Sequence, residues 1–354
     1  MKNEPLPIYA LVMAGGEGLR FWPAGRRSIP KQLLRLTGNK GDGNTMLEDT
    51  VQRLFPLIAP ENIIVITNIR HQKQIRSLLP IPEENIIGEP VGRDTAPCIA
   101  LGTALIQRRS PNALIVVIPA DHLIRPAKAF QQTLSLALEQ AALGRLVTIG
   151  ANPTYPATGY GYLQIGASLS PHCYTVTAFH EKPSPTIAAQ YLHAGNYQWN
   201  TGLFAWSSQT IAHAFRCFLP NLFTRMENWA KGYDFSQDFQ ECTRISIDYG
   251  IMEKAKNVVS VEANFQWSDL GSWSAMREVF PMDDHNNAIK GNVATLDSYG
   301  NVLVSDEETL LGIIGMNGVA VIKSGNGILV CPLAEEQKVK TLVQNLPESL
   351  QGFL

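Results

Sequence analysis

The chain has 354 residues, 45% of them hydrophobic, and a formal net charge of −2. That apolar content excludes a disordered or fibrous chain and suits a large domain with a smaller one. The near-neutral charge excludes a global basic field of the kind that gathers nucleic acid, so any polyanion has to be held by a local cluster.

Ile8 to Gln32 reads IYALVMAGGEGLRFWPAGRRSIPKQ. An apolar, β-favouring run enters a glycine-rich turn, where Gly15, Gly16 and Gly18 let backbone N–H groups approach phosphate oxygens closely. Arg20 and Lys31 add cationic donors, one a planar fork and one a compact charge. The order GGEG is neither the dinucleotide GxGxxG nor the P-loop GxxxxGK[ST], and many such turns bind nothing. Alternatively, Arg20 is a solvated surface cation and Lys31 a snorkelling side chain.

Further on, Thr45 with Glu48 forms a capping-box pattern, and Leu47, Val51, Leu54, Phe55 and Ile58 recur at helical spacing. Strands are predicted at 62–67, 85–88, 113–118 and 146–149, with helices at 72–79, from Asp94 to about Arg109, and over 128–143. This alternation predicts a Rossmann-like, mostly parallel sheet flanked by helices, with ligands beyond the carboxyl ends of the strands. The middle third is less regular. It has strands at 160–166 and 174–179, a helix at 185–193, then Trp199-Asn200-Thr201-Gly202 before a short strand LFAW, and a further strand at 258–261. From about Ala288, short apolar runs broken by Gly, Asn, Asp or Ser predict a small coiled β structure without a strict repeat, closed by a helix at 335–346. The expected division is a catalytic domain over 1–283, with halves of about 1–150 and 151–283, and a β-helix-like domain over 284–354.

Five cysteines (Cys98, Cys173, Cys217, Cys242, Cys331) show no CxxC or Cys/His metal spacing and read as free thiols of a reducing compartment. The polar start MKNEPLP and the lack of long apolar runs predict a cytoplasmic protein with no membrane partner.

Asp121 ends a buried apolar strand, where a carboxylate needs a cation or a capping role; a hard oxygen ligand there suits Mg²⁺ together with substrate phosphates. Asp269 either caps a turn near Gly271 or supplies a second carboxylate to the same metal. His122 is expected to be structural. Glu181 and Lys182 leave a strand on opposite faces, one able to reach a sugar hydroxyl and the other a phosphate, or else they form an exposed ion pair. Gly159 and Asn200 offer amide contacts to a sugar, or simple turn chemistry.

Together, AGGEGLRFWPAGR with PKQ, EPVGRDTAP, PADH, TGYGYLQIG, HEKP, WNTGLF and WSDLGSW closely resemble the mannose-1-phosphate guanylyltransferases, within the sugar-phosphate nucleotidylyltransferases. The resemblance runs in order from about Ile8 to Trp273, and the tail to about Leu346 resembles the family's β-helix-like region. It implies that a phosphate oxygen of mannose 1-phosphate attacks the α-phosphorus of GTP, giving GDP-mannose and pyrophosphate. It further implies Arg20 and Lys31 on the triphosphate, Gly15, Gly16, Gly18, Glu89, Arg93 and Thr95 around the nucleotide, and Mg²⁺ on Asp121 and Asp269. Lys182 would meet the sugar phosphate, with Glu181, Asn200 and Gly159 on the mannose ring. Transferase activity without an additional isomerase domain is expected, and the terminal β region allows a homodimer.

Two positions depart from the family pattern. Ala24-Gly25 replaces the Leu-Ser of WPLSR, and Asp94 replaces the Asn of RNTA beside the expected base site. The alternatives are the same reaction with another sugar phosphate or nucleotide, and a non-catalytic relative that binds nucleotide sugar and regulates a partner.

Overall fold

The computed structural model describes residues 6–16, 18–36, 43–306 and 308–354. In chain order its elements are β1 (Ile8–Ala14), α1 (Met46–Gln52), β2 (Ile63–Asn68), α2 (Ile69–Arg76), β3 (Ile86–Glu89), α3 (Thr95–Arg109), β4 (Leu114–Pro119), β5 (Leu123–Arg125) and α4 (Ala127–Ala142). There follow β6 (Leu146–Ala151), β7 (Tyr162–Ser170), β8 (Cys173–His180), α5 (Pro185–Ala194), β9 (Tyr197–Ser207), α6 (Ser208–Phe218), α7 (Pro220–Ala230), β10 (Val258–Glu262) and β11 (Gln266–Ser268). The last third holds β12 (Ala288–Lys290), β13 (Val293–Leu296), β14 (Val302–Val304), β15 (Leu311–Ile314), β16 (Val319–Ser324), β17 (Gly327–Pro332) and α8 (Val339–Gln344).

Two compact units divide the chain. The first comprises Met1–Gly15, Val51–Pro119 and Ile124–Trp267; the second comprises Gly16–Thr50, Ala120–Leu123 and Ser268–Leu354. The chain thus passes into the second unit directly after β1 and again directly after β4.

The first unit is built on a sheet in the order β3-β2-β1-β4-β9-β6-β10-β8-β7. It is parallel from β3 to β4, as the alternating pattern predicts, and it becomes mixed because β9 lies antiparallel between β4 and β6. Leu11, Ile115 and Val117 from the parallel strands pack with Ile99 of α3, Trp206 of β9 and Trp229 of α7 in one core. Fully burying such a side chain contributes roughly 1.5–3 kcal/mol relative to leaving it exposed. Helices α6 and α7 went unread in the sequence, although Leu222, Phe223, Met226 and Trp229 of α7 have helical spacing and are all buried.

The second unit has its own core, in which Phe21 and Trp273 rings lie 5.1 Å apart among Met276, Val302, Ala320 and Ile322. The capping box is formed as read. Thr45 N–H donates to Glu48 Oε2 at 2.7 Å, and Glu48 N–H donates to Thr45 Oγ1 at 3.1 Å. The helix it opens stops at Gln52, short of the predicted Ile58, ahead of Phe55-Pro56, where the residue before proline disfavours helical torsions.

The β-helix-like tail stacks β12 on β14 and β14 on β16 in parallel, with β13 on β15 beside them. An asparagine column runs through the coil. Asn287 Oδ1 accepts from Asn301 Nδ2, 14 residues on, and Asn301 Oδ1 accepts from Val319 N–H, 18 residues on. Those unequal coil lengths are why no strict repeat is visible in the sequence. Among the described residues, no helix is long and apolar enough to cross a membrane. All five cysteines are free.

Asn301 is fully buried, and its amide also donates to Met316 O at 2.8 Å. Asn301→Ala strands Val319 N–H and removes one of two donors from Met316 O and from Asn287 Oδ1, which keep Tyr299 N–H and the residue 301 N–H. A loss of about 2–4 kcal/mol is therefore expected in urea unfolding.

Candidate active site

In the second unit, Lys31 is the organising cation. It is 7% exposed, and its ammonium donates to Asp121 Oδ2 at 2.8 Å and to the Asp269 backbone carbonyl at 2.5 Å. It lies 5.7 Å from the centroid of the Phe21 ring. Gly18 has φ 65°, and a side chain there would lie 2.5 Å from Lys31 N, so the turn admits only glycine as built. Arg20 Nη1 donates to Gly271 O at 3.2 Å, while the Asp269 carboxylate accepts from Gly271 N–H at 2.9 Å. Both cations predicted for a triphosphate therefore hold the 269–271 turn, and each keeps further N–H donors: Lys has three and Arg five.

Burial pushes the Asp121 carboxyl upward, but attraction to Lys31 and His122 and the Lys31 hydrogen bond outweigh it, leaving the pKa below the usual carboxylate value. His122 Nε2 is 3.9 Å from Asp121 Oδ1, which suits a supporting role rather than ligation. A divalent cation is implied by the family resemblance, and the local chemistry fits a hard one. The donors are all oxygens, and a lysine ammonium already sits against Asp121 and the Asp269 backbone. Among the described residues, no group of three or more His, Cys, Asp or Glu side chains could hold a metal, so such an ion would complete its shell with water or phosphate oxygens.

In the first unit, Gly15 follows β1 beside Glu89, whose Oε1 would be 2.6 Å from a side chain on Gly15. Glu89 ends β3, is 4% exposed, and burial raises its pKa to about 7. Arg93 Nη2 bonds Gln240 O, and its buried Nε has no partner among the described residues. Thr95 Oγ1 accepts from Ile247 N–H at 2.8 Å, so that hydroxyl already serves the fold. Asp94 has φ 70° and its carboxylate accepts from Thr95 N–H at 2.8 Å, a capping role that Asp fills as well as the family's Asn.

The same unit gathers the predicted sugar-phosphate residues. Lys182 Nζ pairs with Glu181 Oε1 at 2.8 Å, with side chains 61% and 13% exposed. Lys182 has φ 46°, and its N–H donates to Tyr160 O, one residue past Gly159. Burial draws the Lys182 pKa down, but the Glu181 hydrogen bond and charge, with smaller help from Tyr249 and Asp248, leave it raised. Asn200 lies inside β9 rather than in a turn before a strand, and its backbone N–H donates to Gly161 O at 2.8 Å. Tyr155, Tyr160, Trp199 and Trp267 pack edge to face in the same unit.

One group here escaped the sequence entirely. Asp248 is a half-buried carboxylate that accepts from Asn200 Nδ2 at 2.9 Å, and desolvation followed by repulsion from Glu181 raises its pKa to about 6. SIDYGIM carries no metal or catalytic spacing; only the fold brings it to Asn200.

The chain is a nucleotidyl transferase by the family model it matches. The Nucleotidyl transferase family model matches residues 9–286, and that of the MannoseP isomerase/GMP-like beta-helix domain matches residues 291–346. A mannose-1-phosphate guanylyltransferase of Klebsiella pneumoniae is 36% identical over 97% of this chain and 74% of its own length, and one of Sinorhizobium fredii is 35% identical over 98% and 69%. A Thermus thermophilus crystal structure, described as a mannose-1-phosphate geranyltransferase, superposes with TM-score 0.87 at 35% identity over 96% of this chain and 99% of that one. The chain belongs to the mannose-1-phosphate guanylyltransferases.

Glu89 yields a stability prediction. Between pH about 4.5, the ordinary value, and about 7, the folded state keeps a proton that the unfolded state has lost, so stability falls as pH rises through that window. Glu89→Gln should gain up to about 3 kcal/mol at pH 8 and little at pH 4.5, read from thermal unfolding at both pH values. An equal gain at both pH values would contradict the assignment.

Proposed function

We propose that this chain makes GDP-mannose and pyrophosphate from GTP and α-D-mannose 1-phosphate. The observation that carries the proposal is the shared activity of relatives 36% identical across 97% of the chain. The side-chain chemistry supports it. The nucleophile, a phosphate oxygen, is already an anion, so the reaction calls for cations and positioning more than for a general base. The new bond forms from that oxygen to the α-phosphorus as the bond to the β-phosphate bridging oxygen breaks, and pyrophosphate carries away the electron pair.

Arg20 and Lys31 are assigned to the triphosphate and its departing half, using the donors they retain beyond the 269–271 turn. Gly15, Gly16, Gly18, Glu89, Arg93 and Thr95 are assigned to the nucleotide. Thr95 Oγ1 accepts from Ile247 N–H and its own N–H is taken by Asp94, so the contact falls to its remaining hydroxyl hydrogen. Lys182 is assigned to the sugar phosphate and Glu181, Asn200 and Gly159 to the sugar ring. The functional division follows residues 1–283 for catalysis and 284–354 for the β-helix-like domain. When bound on Asp121 and Asp269, Mg²⁺ would neutralise phosphate charge that two cationic side chains alone leave in excess.

The test is pyrophosphate release measured over GTP and ATP against several sugar 1-phosphates, with and without Mg²⁺. The pair GTP and mannose 1-phosphate should be fastest and should need the metal. Lys182→Ala should lose about a hundredfold in turnover while still binding GTP. Release with no pair would instead favour a nucleotide-sugar-binding regulator, and unchanged Lys182→Ala turnover would sink that residue's role.

A further inference from the structure

Asn200 is held at both ends of its side chain. Its Oδ1 accepts from Thr148 Oγ1 at 2.9 Å and from Gly202 N–H at 3.3 Å, and its Nδ2 donates to Asp248 Oδ1 at 2.9 Å. A backbone N–H can only donate and a carboxylate can only accept, so these two partners fix which end of the amide is oxygen and which is nitrogen. One Nδ2–H then remains, aimed by the other bonds rather than free to turn.

Asp248 is itself immobilised. It opens a short π-helical turn, and the residue before it, Ile247, is fully buried with its N–H on Thr95 Oγ1. Two residues earlier, Ile245 O accepts from Ala96 N–H at 3.1 Å, which ties the same segment to the start of α3. Asp248 therefore reaches Asn200 from a segment pinned to the helix that follows the nucleotide-loop residues Arg93 and Asp94.

We propose that Asp248 is a positioning residue. It orients the Asn200 amide so that its second N–H meets a hydroxyl oxygen of the sugar ring, setting acceptance of the sugar phosphate without touching it. The proposal rests on the assignment of Asn200 to the sugar. Losing the acceptor frees the amide to rotate, and a misplaced contact of this kind typically costs on the order of a hundredfold. Glu181 and Lys182 act on the Asp248 carboxylate, and Tyr249 acts on Lys182, so the variants are compared at one pH, 8, above the raised Asp248 pKa of about 6.

The experiment is steady-state pyrophosphate release by Asn200→Ala, Asp248→Ala, Asp248→Asn and the double alanine variant, with GTP and mannose 1-phosphate varied separately. Asp248→Ala and Asn200→Ala should each lower kcat/KM for the sugar phosphate about 30- to 100-fold and move KM for GTP less than about twofold. The double variant should fall no more than about threefold below the singles, because both remove one contact. Asp248→Asn, whose carbonyl oxygen still accepts from Asn200, should stay within about fivefold of wild type. Where Asp248→Ala does not fold, Asp248→Ser, too short to reach, takes its place. Full additivity, or an Asp248 truncation matching wild type beside an impaired Asn200→Ala, overturns the positioning role alone. An Asn200→Ala variant that matches wild type overturns the sugar assignment and the positioning role with it.

Discussion

One ammonium group holds the second unit's functional loops in register. Lys31 Nζ bonds a carboxylate 90 residues away and a backbone carbonyl 238 residues away, so it joins the segment after the glycine turn, the residues following β4 and the 268–271 loop. A buried cation needs such partners: unpaired, it would cost several kcal/mol, and each acceptor lowers that cost. The same bonds place a buried positive centre beside the Asp121 carboxylate and the Asp269 carbonyl.

The first unit meets the opposite problem. Glu181 and Asp248 are neighbouring acidic groups, and the Asn200 amide, a backbone hydrogen bond and the Lys182 charge soften their repulsion. Asp248 is left with a raised pKa and Lys182 is kept firmly charged. The Lys182 head is 61% exposed on a residue with left-handed torsions, and the half-buried Asp248 accepts from the Asn200 amide. A sugar phosphate asks for that pairing of a charge for its phosphate and directed amides for its hydroxyls.

Much of this was legible in the sequence because the signals were local. The glycine turn, the Thr45–Glu48 box, the buried β strands and the Asp94 cap are each specified by residues within a few positions of one another. The antiparallel entry of β9 was not legible, since WNTG looks like a turn until the neighbouring strands enclose it. Helices α6 and α7 were legible in principle from the spacing of Ile211, Ala214 and Phe215 and of Leu222, Met226 and Trp229. Asp248 was not: its meaning lies in a partner 48 residues away, and nothing beside it in the chain points there. The asparagine column of the tail stayed hidden for a similar reason, as its coils differ in length.

A thermodynamic cycle over Lys31→Met, Asp121→Asn and the double variant, read by urea unfolding, most directly tests the dependence of the second unit on its buried ammonium. Asp121→Asn, which strands the buried ammonium, should cost about 2 kcal/mol, Lys31→Met, which leaves a carboxylate 35% exposed to water, about 1 kcal/mol, and the double little more than the larger single. Single losses that simply add would show that the two groups do not rely on each other, contradicting the role given to Lys31.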